Sequence, residues 1–267
     1  MQSKIRPSVG SSTAKHFLSG KPYRFLTRCF RHFTDFLYPP ACLNCRLPTE
    51  QPDALCPKCW GQLELIEQPY CERLGIPITE SADGPIISPR AMAEPPVYGR
   101  ARSACRYEGL ARHLVYALKY GDKPEYAKIM GRMMHTAGRE LIDQCDLIIP
   151  IPMHRRRLFH RHYNQAVILA NTISQISGCQ SSASALRRIR PTQAQSFLNK
   201  AQRRKNLKRA FAVAQKEAPM IKGARILLVD DVLTSGATAD SAANVLLHTG
   251  ASAVDILTFA RVVKNYI

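Results

Sequence analysis

The sequence contains no apolar run that is long enough to cross a membrane. A spanning helix needs roughly 18–20 apolar residues in a row, and no segment of the 267-residue chain reaches that length. Aromatic residues are scarce as well, at 7% with a single tryptophan, which argues against sequence-specific readout of nucleic-acid bases by stacking. Apolar residues make up an ordinary 45%. We therefore expect a soluble protein with one sizeable core and a small appendage.

Acidic residues are missing from two long stretches. Residues 147–216 contain fourteen Lys and Arg but no Asp or Glu, and residues 1–34 contain seven more basic residues, again without an acid. These two stretches account for the net charge of +18, since the rest of the chain is slightly acidic. Such a charge predicts a polyanionic partner: nucleic acid, a phosphorylated ligand or an anionic membrane surface.

Two Cys-x-x-Cys pairs, separated by ten residues, stand out among the nine cysteines. Two thiolate pairs at this spacing can close tetrahedrally on one Zn²⁺, and four thiolates leave no open coordination position. The spacing therefore predicts a structural zinc held by Cys42, Cys45, Cys56 and Cys59 in a reducing compartment, with redox dithiols as the alternative. We expect buried, apolar environments for Cys29, Cys105, Cys145 and Cys179.

Composition divides the chain into four parts. Residues 1–37 form a basic leader that we expect to be partly disordered or amphipathic, and residues 38–78 hold the zinc-binding lobe. Pro, Gly, Ser and Ala dominate residues 79–97, which predicts a linker or long loop. In residues 98–267, apolar strands alternate with helical patterns, which predicts a parallel α/β sheet. The strands are predicted at 146–152, 225–229 and 252–262, and the helices at 107–122, 125–143, 164–178, 193–208 and 237–248.

The stretch ILLVDDVLTSGATAD, residues 226–240, places two carboxylates between an apolar strand and a loop of small residues. Such a loop at the start of a helix surrounds an anion with free backbone N–H groups, and hydroxyl side chains add donors. A phosphate monoester suits this pocket. Asp230 and Asp231 suit a sugar diol or a Mg²⁺ approached through water, and two adjacent carboxylates need charge compensation. The loop residues are Thr234, Ser235, Gly236, Ala237 and Thr238.

This run resembles the phosphoribosyl-pyrophosphate (PRPP) motif of type I phosphoribosyltransferases. The resemblance implies a type I phosphoribosyltransferase-like parallel sheet with a small N-terminal zinc-ribbon lobe built on four cysteines. It also implies that the loop holds the 5-phosphate of PRPP, while Asp230 and Asp231, as catalytic residues, face the ribose hydroxyls in the presence of Mg²⁺. An ordinary strand, turn and helix with surface acids is the alternative.

Three further segments occur in order with the cysteine lobe and resemble the ComF family, competence-associated proteins related to GntX. They are YEGLARHLVYALKYGD, IIPIPMHRRRLFHRHYNQA and LRRIRPTQAQSFLNKAQRRKNLKRAFAV. The chain departs from the family at His162, where a glycine is usual, and at Cys71, which stands alone where a further cysteine pair is often seen. The resemblance extends from about residue 38 to the C-terminus.

The resemblance assigns roles to the basic segments. The loop after IIPIP corresponds to the pyrophosphate loop, which puts Arg157 and Arg161 at the PRPP site. Residues 187–206 take the place of the mobile catalytic loop, and we regard their basic side chains as candidates for nucleic-acid binding, with a solvated basic helix as the alternative. These candidates are Arg187, Arg188, Arg190, Lys200, Arg203, Arg204 and Lys205.

The family implies a cytoplasmic protein that acts on internalised DNA in natural transformation. Its expected partners are single-stranded DNA, PRPP-Mg and competence proteins such as a helicase. Two alternatives remain open. One is an active phosphoribosyltransferase whose acceptor the sequence does not identify, and the other is a regulator that senses PRPP without turnover.

Overall fold

The computed structural model describes residues 39–79, 84–121, 123–153, 163–189 and 210–263. The predicted leader over residues 1–37 and the predicted helix over residues 193–208 lie outside these ranges. Within the described ranges, the residues from Ala41 onward belong to one compact unit, which includes the cysteine lobe.

Four parallel strands form the main sheet, in the spatial order β1–β6–β5–β2, and two short strands form a separate antiparallel pair, β3–β4. The predicted parallel α/β sheet is confirmed. The strands are β1 (Ala101–Arg106), β2 (Leu147–Pro150), β3 (Leu186–Arg188), β4 (Phe211–Val213), β5 (Arg225–Leu233) and β6 (Ala253–Arg261).

Helices cover both faces of this sheet. In the described part of the chain they are α1 (Pro57–Trp60), α2 (Pro89–Ala93), α3 (Gly109–Tyr120), α4 (Tyr126–Ala137), α5 (Arg139–Ile142), α6 (Gln165–Ser177), α7 (Ala218–Ile221) and α8 (Ala237–His248), with a 3₁₀ turn at Gln215–Glu217. None of them is long and apolar enough to cross a membrane.

Strand β5 is central, and its alternating side chains supply both cores. Leu227 and Val229 lie in the core that also contains α3, α4 and α6, whereas Ile226 and Leu228 lie in the core beneath α8 and β4. A strand buried on both faces carries apolar residues at consecutive positions, which explains the uninterrupted apolar run in its sequence.

Local sequence signals set several helix ends. Asn164 caps α6 by accepting a hydrogen bond from the backbone N–H of Ala166, and Gly178 ends the helix in the left-handed region with φ 76°. The single helix predicted over residues 125–143 is instead two helices that meet at Gly138. A Cβ atom at Gly138 would lie 2.5 Å from Leu257 Cδ1, so the break brings the backbone close to β6.

The cysteine lobe packs against α4 through polar contacts. Lys128 forms an ion pair with Asp53 at 2.7 Å, and the hydroxyl of Tyr126 donates a hydrogen bond to the carbonyl of Leu43. The buried cysteines of the lobe belong to the same apolar core as α3 and α4. The lobe is therefore anchored to the helical layer on one face of the sheet.

Candidate functional site

The two aspartates lie inside β5 rather than after it. The strand was predicted to end at Val229, but it continues to Leu233, with Asp230 in register with Thr258 of β6. Because successive strand residues point to opposite faces, Asp230 and Asp231 face different sides of the sheet at its carboxyl end. Both still border one pocket.

Asp231 is buried and paired with a lysine that the sequence interpretation missed. The Lys119 Nζ atom, at the end of α3, lies 2.8 Å from Asp231 Oδ2, and the two side chains are 21% and 8% exposed. Burial alone would lower the pKa of Lys119, but the charge of Asp231 outweighs it and raises that pKa. Lys119 thus supplies the charge compensation that the adjacent carboxylates require.

The carboxyl group of Asp230 has a raised pKa. Loss of water and the neighbouring charge of Asp231 raise the pKa of Asp230 to about 7, against the lowering effects of Lys119 and Arg188. Arg188 was predicted as a nucleic-acid contact, yet its side chain borders the same pocket. The site therefore holds two carboxylates balanced by two cations from distant parts of the chain.

The loop after β5 has the geometry of an anion cradle. Gly236 adopts φ 84°, in the left-handed region, and directly precedes α8, whose first-turn N–H groups have no partner within a helix. A Cβ atom at Gly236 would lie 3.4 Å from the Tyr98 hydroxyl, so the turn is close to its neighbour. Thr234 is exposed, and Ser235, Ala237 and Thr238 are half-buried around the turn.

A pocket of about 270 Å³ opens beside these elements. Asp230, Asp231, Thr234, Thr238 and Lys119 line it, together with residues from the end of β2 and the start of α6. Among the described residues, Nε2 of Gln165 and Oγ of Ser235 are buried near this pocket and have no hydrogen-bond partner. Buried donors are rarely left unpaired in folded proteins, so these atoms indicate a ligand rich in hydrogen-bond acceptors.

Asn164 has a structural role, since it caps α6 and its side-chain amide donates to the carbonyl of Ile151. The remaining predicted residues fall into two groups. Arg187 is exposed on β3. The others lie outside the described residues; they are Arg157, Arg161, Arg190, Lys200, Arg203, Arg204 and Lys205.

The four lobe cysteines are brought together as predicted. Their Sγ atoms all lie within 4.8 Å of one another, with Cys45 and Cys56 at 3.5 Å. A tetrahedral site with Zn–S bonds of about 2.3 Å needs sulfur atoms roughly 3.8 Å apart, so the cluster fits Zn²⁺. The backbone N–H of Cys56 donates to Cys42 Sγ, and the side-chain amide of Asn44 donates to Cys59 Sγ.

Other cysteines lie apart from this cluster. Cys71 is fully buried, and the N–H and hydroxyl of Ser88 donate to its sulfur at 3.3 and 3.2 Å. Burial opposes ionisation, but these hydrogen bonds outweigh it and lower the pKa of Cys71. Cys105 is buried as predicted, whereas Cys145 and Cys179 are half-buried with their sulfurs 3.3 Å apart.

Known proteins resemble both the cysteine lobe and the chain as a whole. The Double zinc ribbon domain family matches residues 33–90. The chain is 30% identical over 232 residues to the DNA utilization protein YhgH of Escherichia coli K12, which covers 84% of this chain and 97% of that protein. This chain belongs to the ComF/GntX family. The family prediction is thereby confirmed, and the four clustered cysteines lie within the segment that matches the zinc ribbon domain.

A second ComF/GntX relative is the Competence protein F of Haemophilus influenzae, which is 26% identical over 228 residues, covering 82% of this chain and 96% of that protein. Among solved structures, the chain is similar to the orotate phosphoribosyltransferase of Aeropyrum pernix. That similarity covers 61% of this chain and 81% of the enzyme, with 16% identity and a TM-score of 0.33.

Proposed function

We propose that this ComF/GntX protein binds single-stranded DNA and PRPP-Mg in the cytoplasm and acts on internalised DNA in natural transformation. The observation that carries the PRPP assignment is the pocket at the carboxyl end of β5. There, a charge-compensated acidic pair stands beside an anion cradle and two unpartnered buried polar atoms. The names of the relatives, a DNA utilization protein and a competence protein, support the DNA assignment.

The pocket offers suitable binding groups to the phosphate, the ribose and the pyrophosphate of PRPP. The turn from Thr234 to Thr238 offers backbone N–H groups and hydroxyls to the 5-phosphate. The carboxylate of Asp230 accepts hydrogen bonds from the ribose hydroxyls, and Gln165 Nε2 donates to a ligand oxygen. Mg²⁺, when bound, neutralises the pyrophosphate and is approached by the acidic pair through water. Arg188 adds positive charge to the lining of the same pocket.

The same pocket suits binding with or without turnover. Transfer of the phosphoribosyl group requires a nucleophile that attacks C1 of the ribose as pyrophosphate leaves, and positioning with charge stabilisation would supply the catalysis. That nucleophile belongs to a second substrate, which the pocket lining does not identify. We propose ligand binding as the function of this site, with phosphoribosyl transfer and PRPP sensing as the two alternatives.

Calorimetric titration of PRPP with Mg²⁺ into the full chain tests the proposal. Wild-type protein should release binding heat that disappears in Asp230→Asn/Asp231→Asn and without Mg²⁺. Asp143→Asn is the matched control, because it removes one negative charge from an exposed side chain at the end of α5. It should bind as tightly as the wild type.

Either of two results would contradict the PRPP assignment. If folded wild-type protein released no binding heat, the acidic pair and its loop would have only a structural role. Equal heat in the double variant would place PRPP elsewhere. Neither result bears on DNA binding, which a titration with single-stranded DNA tests separately.

A further inference from the structure

The cysteine lobe contains the same backbone turn twice, over residues 41–48 and over residues 70–77. In each turn, the first and last residues form an antiparallel β-bridge. The N–H of the second residue, Cys42 or Cys71, donates a hydrogen bond to the carbonyl five residues later, at 2.7 Å and 2.8 Å respectively. Four residues after each cysteine the backbone enters the left-handed region, with φ 65° in the first turn and 59° in the second. The two turns therefore share one geometry, residue for residue.

A short helix follows each turn in the same way. Cys56 is the N-cap of α1 and Ser88 is the N-cap of α2, and both helices begin with a proline. The backbone N–H of each N-cap donates to the sulfur of the preceding turn at 3.3 Å, from Cys56 to Cys42 and from Ser88 to Cys71. The residue after each turn cysteine donates its N–H to the carbonyl two residues before the N-cap. The repeat therefore extends from the turn to the helix.

Matching the two copies gives every clustered cysteine a counterpart. We call residues 41–60 the first ribbon and residues 70–93 the second ribbon, of which the structure describes 70–79 and 84–93. The protein ligands of Zn²⁺ are thiolates, imidazoles and carboxylates, and the second ribbon offers one thiol at the four matched positions. These positions do not fit Zn²⁺, although the matching family is described as a double zinc ribbon. The counterparts of Cys42, Cys45, Cys56 and Cys59 are Cys71, Leu74, Ser88 and Ala91.

The four counterparts are occupied with one another instead. Cys71, Leu74 and Ala91 form a buried apolar cluster of their own, with two isoleucines packed against it. The Ser88 hydroxyl donates to Cys71 Sγ at 3.2 Å and accepts from the backbone N–H of Ala91 at 3.3 Å. Apolar burial and hydrogen bonds therefore hold the turn and the helix of the second ribbon together.

The second ribbon is also attached to strand β1. The guanidinium of Arg102 lies 4.4 Å from the ring centroid of Tyr70 and forms an ion pair with Glu72. A Cβ atom at Gly75 would collide with the carbonyl oxygen of Ala101, so the turn lies directly against the strand. Small zinc modules depend on their metal because their own cores are too small to fold alone. Contacts with the sheet remove that dependence here.

We propose that the second ribbon is a zinc ribbon that folds without metal, so that the chain binds one Zn²⁺ rather than two. The inference rests on neither the proposed PRPP site nor the proposed DNA binding. Its role is to join the first ribbon to the sheet through a fixed, metal-independent turn. Removal of zinc therefore acts on the first ribbon alone.

Elemental analysis of the full chain, after gel filtration in metal-free buffer, tests the proposal. Wild-type protein should contain one zinc ion per chain. Leu74→Cys/Ser88→Cys/Ala91→Cys completes four thiols with Cys71, and this variant should contain two zinc ions per chain. Leu74→Ser/Ala91→Ser is the matched control, because it places hydroxyls rather than thiols at two of the same positions. It should still contain one.

A second variant tests the apolar cluster directly. Leu74→Ala should lower the melting temperature by roughly 5 °C or more, because it leaves a cavity in the cluster, and should keep one zinc ion per chain. Two zinc ions in wild-type protein would overturn the proposal, as would a single zinc ion in a triple cysteine variant that circular dichroism shows to be folded. An unchanged melting temperature in Leu74→Ala would also overturn it. If the triple variant does not fold, the zinc content of the wild type and the melting of Leu74→Ala still decide the question.

Discussion

Replacing Lys119 by methionine should destabilise the protein, because Asp231 would remain buried without its counter-ion. At the observed separation of 2.8 Å, an effective dielectric constant of about 20 gives a Coulomb attraction of about 6 kcal/mol. Desolvation of the two charges offsets part of it. Removal of one partner of a buried pair typically costs about 3–5 kcal/mol, and we expect about 3 kcal/mol because Lys119 is partly exposed.

The penalty should depend on pH, since protonating one carboxylate relieves it. For a carboxyl group with the ordinary pKa of about 3.9, protonation costs about 5 kcal/mol at about pH 7.5 but only about 2 kcal/mol at about pH 5.5. At the lower pH, Lys119→Met should therefore lower the free energy of unfolding by no more than about 2 kcal/mol. Adding Asp231→Asn should restore most of the stability at either pH.

Urea unfolding of the zinc-loaded protein, followed by circular dichroism, measures these differences. Lys128→Met is the matched control, since it breaks a lysine–aspartate pair at 2.7 Å whose lysine is 62% exposed. It should cost less than about 1 kcal/mol. The electrostatic account is wrong if Lys119→Met costs no more than this control, or if its penalty is the same at both pH values.

Three other predictions follow from the site. The pKa of Asp230 is raised to about 7, so its ionisation destabilises the folded state as pH rises from about 4 to about 7. Asp230→Asn lacks this ionisation, and its melting temperature relative to wild type should therefore rise across that pH range. A difference in melting temperature that stays constant with pH would contradict this. Gln165→Leu removes a buried amide whose nitrogen has no hydrogen-bond partner among the described residues, so calorimetry should show PRPP binding weakened roughly tenfold with no loss of melting temperature. Elemental analysis should find no bound zinc in the Cys59→Ser variant. The Cys71→Ser variant should keep its zinc, because Cys71 lies outside the cluster. Loss of zinc from both variants would place Cys71 in a metal site.

Local patterns were sufficient for the cysteine cluster and for most of the sheet. The Cys-x-x-Cys spacing determines which sulfurs can meet on one metal, because a short turn holds each pair together. Apolar runs predicted β2, β5 and β6, since strands buried on both faces have no polar side to interrupt them. Strand β1 escaped prediction because its sequence, ARSACR, looks polar. Arg102 is buried there and forms ion pairs with Glu72 and Glu140, which are distant in sequence.

The sequence by itself determined the family, the cysteines that cluster, and the acidic pair with its loop, because each depends on residues close together in the chain. It also indicated that the acidic pair needs compensation. Only the tertiary structure decided which cation provides it, since Lys119 and Asp231 lie more than a hundred residues apart and meet through the packing of α3 on the sheet. The same packing brings Arg188 to the pocket.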